Sequence, residues 1–134
     1  VQRGSKIEAK GTASKPIVFT HSSVLDGTLS NPDTASGLWG GLVILGKAPI
    51  NKCANDVRGT ANCEKLVEGA TDALMGGATP DDNSGTLRFV RVEYAGYEIF
   101  PGNELNGITF GGVGSGTTVD FDSLMIWLHL WSRQ

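Results

Sequence analysis

The chain has 134 residues, 40% hydrophobic and 19% charged, with a formal net charge of -3, which is enough apolar material for one core and excludes a disordered tail. Its 11 Lys and Arg are scattered, so the basic stripe of a nucleic-acid binder is missing. No apolar run approaches the ~18 residues of a membrane helix, and 19 glycines set in short doublets rather than at every third position exclude collagen.

In chain order, Val1-Gln2-Arg3-Gly4 shows neither a start methionine nor a signal peptide and reads as the interior of something longer, a mature or excised segment. Short runs bounded by Gly, Pro, Asn, Asp or Ser then predict strands. The first are 6–10 and 16–20. The next, 41–46, is apolar throughout and fits a strand buried on both faces. A run at 87–94 mixes apolar Leu87, Phe89, Val90 and Val92 with polar Arg88, Arg91 and Glu93, and 106–111 and 117–121 complete the set. Helical signal is confined to 63–75, where Gly69 and the Gly76-Gly77 pair limit it to a turn or two.

The loops at 22–39 and 48–78 exceed the ~12–15 residues usual for unstructured connections in a sandwich. A solenoid tolerates them, because each coil extrudes a loop without disturbing its neighbours. Strand-plus-glycine units recur at Gly11, Gly46, Gly111 and Gly116 with irregular spacing. Inward Val, Ile, Leu and Phe with Gly, Asn and Asp at corners is the demand of a parallel β-helix. The predicted fold is therefore all-β, a few coils of a right-handed parallel β-helix with long loops.

Cys53 and Cys63 share one polar stretch with no CxxC and no nearby His, so a metal pattern is excluded. A disulfide closing a surface loop is the favoured reading and implies an oxidising, extracellular or outer-surface location. Two free thiols are the alternative.

Five segments, 1–12, 15–20, 37–46, 82–96 and 103–118, together resemble a family of secreted or cell-surface parallel β-helix proteins of Bacteroidota and marine Gram-negative bacteria, of the lipoprotein or secretion-system-cargo type. The resemblance implies a β-helix over 1–121 and little about activity. It ends near Phe121. Residues 122–134 form an atypical apolar tail, read as the end of a truncated or frame-shifted reading frame from environmental DNA or as an authentic C-terminal cap. A cut solenoid exposes an unpaired edge and an open core end. The tail is therefore expected to cap that end or to join a homo-oligomer through Trp127, Leu128, Leu130 and Trp131.

The chemistry-bearing residues each have a plainer account. Asp81-Asp82-Asn83 fits a turn, a Ca²⁺ site of oxygen ligands, or a carboxylate centre. Glu93, Glu98 and Glu104 on and after the next strand are candidates for acid–base work on a polysaccharide. No G-x-S-x-G elbow exists, so a Ser/His esterase rests on the adjacency of His21 with Ser22 and Ser23. Trp39, Tyr94, Tyr97 and Phe100 are candidates for a sugar-stacking groove, against a reading in which Phe89, Phe110 and Phe121 fill the core and the tyrosines cover its rim. No cofactor is required. The expected role is a structural, adhesive or carbohydrate-contacting module, with a hydrolase or lyase as the alternative.

Overall fold

Strands of three or four residues bury little on their own, so they gain a core only by stacking on one another. The computed structural model describes residues 1–53, 60–68, 70–100, 103–104, 106–120 and 124–127. The elements are β1 (Ile7–Lys10), β2 (Ile17–Phe19), α1 (Ser22–Leu25), β3 (Leu42–Leu45), β4 (Lys65–Leu66), β5 (Leu74–Met75), β6 (Gly85–Arg88), β7 (Val90–Glu93), β8 (Glu98–Phe100), β9 (Asn103–Glu104), β10 (Ile108–Gly111), β11 (Thr118–Val119) and β12 (Leu124–Trp127). Among the described residues the fold is all-β with one short helix.

Three parallel sheets carry the architecture, in the orders β1-β6-β11, β2-β7-β12 and β3-β10. The chain visits the first, second and third sheet, then returns to each in the same order. That is the visiting order of a parallel β-helix. Register is continuous: Ala9 faces Leu87, which faces Val119, and Ile17 faces Val90, which faces Leu124. Stacked positions therefore share a face, and the inward ones build the core of Ala9, Ile44, Leu87, Val90, Val92 and Ala95. Ile7, Ile17, Phe19, Leu42, Ile108 and Leu124 pack around it.

The stacking leaves no room for side chains at some corners. Gly85 has φ +109, and a Cβ there would lie 2.0 Å from the Ile7 carbonyl oxygen, its register partner. The N-terminus is stitched to the free edge of β3, with the Val1 ammonium donating to Val43 O at 2.7 Å and Leu45 N–H donating to Val1 O at 3.0 Å.

Several sequence expectations are refined. The run 87–94 is not one strand but two, β6 and β7, in different sheets. Phe89 turns the corner between them at φ 47. The helical signal at 63–75 becomes the antiparallel hairpin β4–β5, because Gly69 and a polar stretch leave too few residues for a helix while Lys65 pairs with Met75 and Leu66 with Leu74. β3 is buried at Ile44 and Leu45 and only half-buried at Leu42 and Val43. The long loop after β2 holds α1, and the excursion between β3 and β6 holds β4–β5. β12, at the head of the apolar tail, is hydrogen-bonded in parallel to β7 on the edge opposite β2. Phe110 is exposed rather than in the core, since no described strand stacks on the outer edge of β10. Phe121 lies outside the described residues. Among the described residues no helix is long and apolar enough to cross a membrane.

Candidate functional site

β7 alternates strictly. Val90 and Val92 point into the core, while Arg91 and Glu93 lie on the opposite face. Two residues apart on one strand face, the Arg91 guanidinium donates to the Glu93 carboxylate at 3.1 Å. The Glu93 side chain is 17% exposed, so the pair is sheltered from water on the carboxylate side. Two polar atoms nearby are buried without a hydrogen-bond partner, Arg91 Nε and the hydroxyl of Thr20, which directly follows Phe19, the register partner of Val92. Buried polar atoms are normally satisfied, and each exception calls for an explanation.

The end of β7, just past this pair, gathers aromatic residues. Trp39 forms a parallel bridge with Ala95, and its indole N–H donates to the Glu93 carbonyl at 2.7 Å. Leu38 N–H donates to Tyr94 O and Tyr97 N–H donates to Trp39 O, so the segment before β3 is laced to the segment after β7. Tyr94 adopts φ 58, a left-handed backbone that bulky residues rarely take and that turns the chain sharply after the strand. Tyr97 is 54% exposed. Three of the aromatics singled out in the sequence, Trp39, Tyr94 and Tyr97, thus come together with Arg91 and Glu93. Sequence reasoning placed Glu93 among catalytic candidates and missed Arg91 and Thr20. The i, i+2 spacing of Arg91 and Glu93 is the signal that links the charged pair.

His21 caps α1. Its Nδ1 accepts from the Ser23 N–H at 3.2 Å and lies 2.7 Å from Ser23 Oγ, so the serine it engages is Ser23, whereas Ser22 is exposed. Asp26 in the same turn accepts from the Thr28 hydroxyl at 2.6 Å and the Thr28 N–H at 3.0 Å, and these bonds, the hydroxyl first, hold its carboxyl below the usual carboxylate range. The carboxylate is thereby committed to Thr28, and the group reads as a capped turn.

The side chains of Asp82 and Asn83 close a local turn before β6. Asn83 Oδ1 accepts from Gly85 N–H at 2.8 Å, and the Ser84 hydroxyl lies 3.4 Å from Asp82 Oδ2. Thr117 Oγ1 accepts from Ser84 N–H at 2.8 Å across the stack. Asp81 is exposed. Among the described residues no group of three or more His, Cys, Asp or Glu is placed to hold a metal ion. Glu104 lies on β9, which pairs with β8 in a hairpin beyond Tyr97. Trp127 ends β12, and Leu128, Leu130 and Trp131 lie outside the described residues.

Cys53 and Cys63 form a disulfide, with Cα atoms 5.1 Å apart. Cys63 is fully buried, so the bridge ties its loop to the interior and not merely to itself.

Residues 1–125 match the family model described as a pectate-lyase like beta helix domain. No curated protein and no solved structure matches the chain.

Proposed function

The chain belongs to the pectate-lyase-like β-helix domain family, and from that premise we propose that it is an extracellular carbohydrate-contacting module, wound as a right-handed solenoid, whose contact surface is the aromatic patch at the end of β7. One observation carries this reading. The Trp39 indole N–H is fixed to the Glu93 backbone carbonyl, which ties a half-buried aromatic ring, packed in part against the core, to the strand that carries the Arg91–Glu93 pair. Sugars are recognised by just that combination of ring faces for their apolar C–H surfaces and charged donors and acceptors for their hydroxyls. The disulfide supports an oxidising compartment.

The test is retention and titration calorimetry against a panel of polysaccharides. Trp39→Ala and Tyr97→Ala are each expected to weaken binding to whichever glycan the protein takes by about tenfold, or ~1.4 kcal/mol. Unchanged binding by both folded variants would overturn the assignment of the patch.

A second reading is favoured by the same charged pair. The Glu93 carboxylate, partly exposed and held by the Arg91 guanidinium, is the candidate to move a proton at a bound sugar, which makes a polysaccharide lyase or hydrolase the alternative. Glu93→Gln separates the two readings. A binding module keeps its affinity to within a few-fold and releases no sugar, whereas an enzyme loses depolymerisation while still binding.

A further inference from the structure

An open cavity of about 360 Å³ lies where the N-terminal turn meets the excursion between β3 and β6. It shares no residue with the aromatic patch. Its principal lining is Arg3, Lys47, Glu64 and the run 76–79.

The run 76–79 is clamped against the chain after β3. Gly76 N–H donates to Gly46 O at 3.0 Å and Thr79 N–H donates to Lys47 O at 2.9 Å. The clamp is so close that a Cβ at Gly77, where φ is +149, would lie 2.7 Å from Lys47 O. Arg3 crosses the cavity wall, pairing with the Glu64 carboxylate and donating to Gly76 O at 2.9 Å. That pairing neutralises the only carboxylate among the described lining residues.

What remains is a set of donors. The Lys47 ammonium is exposed and pairs with no described carboxylate. Among the described residues nothing accepts from the Gly77 N–H, the Ala78 N–H or the Thr79 hydroxyl. One uncompensated cation and three open donors, with no free carboxylate among the described lining residues, form an anion site in the chemical sense. Their number suits the three free oxygens of a monoester better than the two of a carboxylate.

We propose that this cavity binds a tetrahedral oxyanion, a sulfate or phosphate monoester borne on a ligand of about monosaccharide size. The site goes beyond the carbohydrate-contacting patch and does not depend on it. Lys47 supplies the charge, the 77–79 run supplies directional hydrogen bonds, and the Arg3–Glu64 pair holds the wall.

The experiment is an amide-shift titration of the labelled protein with glucose 6-sulfate, glucose 6-phosphate and unmodified glucose. Saturable shifts at Gly77 and Ala78 are expected with at least one monoester and none with glucose; whichever monoester binds more tightly identifies the ester. Lys47→Gln should weaken that binding at least tenfold, and Thr79→Val, which removes only a hydroxyl, by a smaller factor. Trp39→Ala should leave it unchanged. The proposal is overturned if neither monoester gives saturable shifts, if glucose competes equally, or if folded Lys47→Gln binds as the parent does.

Discussion

Leu87 shows what a single inward position is worth. It is fully buried, it has Ala9 on one side of its register and Val119 on the other, and it lies at the centre of the core. Leu87→Ala is expected to cost about 2–5 kcal/mol, read by chemical denaturation, because both neighbours are held by their own strands and cannot collapse into the void. Asp26 gives a pH signature. Its carboxyl is held below its ordinary value by the Thr28 hydroxyl, then the Thr28 N–H, with burial opposing and His21 adding a lesser pull. A lowered folded value means the contribution is present above the ordinary carboxylate range and is lost as pH falls through the lowered one. Thr28→Val should therefore lower the melting temperature slightly at neutral pH, leave strongly acid pH nearly untouched, and so flatten the acid side of the profile. The inward residues were legible from their alternation. Phe89 was not, because a corner at φ 47 between two sheets looks, in a string of letters, like one more apolar step of the same strand.

At the scale of elements, local signals competed with distant ones. The segment 63–75 carried enough helix formers to read as a turn of helix, and the pairing of Leu66 with Leu74 overrode them. The aromatic patch was legible as a list of residues and not as a place, since bonds between residues far apart in the sequence, the Trp39–Ala95 bridge among them, bring the two parts of the chain together. The disulfide was the favoured reading of two cysteines in one polar stretch, with two free thiols as the alternative, and it is formed. It closes a short loop, with a sequence separation of 10, for which chain entropy gives about 3 kcal/mol. Reduction, or the double variant Cys53→Ser with Cys63→Ser, should lower denaturation midpoints by that order. The Arg3–Glu64 pair should weaken with it, because Glu64 directly follows the bridged Cys63.

For the whole molecule, the described strands leave unpaired edges on both sides of the stack. β11 and β12 pair on one side only, as do β1 and β2. Unpaired parallel edges are templates for further strands, and the apolar residues of the tail provide surface to bury with them. Self-association through Trp127 and the residues after it is accordingly expected. Light scattering behind a sizing column should report a mass that rises with loading and falls in Trp127→Lys, whereas a monomer at every concentration would remove that contact.

The two passages through the sheets differ in length, and that difference has a kinetic meaning. The step from Thr86 to Thr118 is far shorter than the step from Glu8 to Thr86, although both end in the same kind of pairing. Closing a longer loop costs more entropy before any contact repays it. β6 and β7 should therefore find β11 and β12 early, and β1, β2 and β3 should dock afterwards onto a preformed seam. β6 and β7 are also flanked on both edges. Their amides should be the last to exchange with deuterated solvent, and a pulse-labelling experiment should find the C-terminal half of the fold protected first.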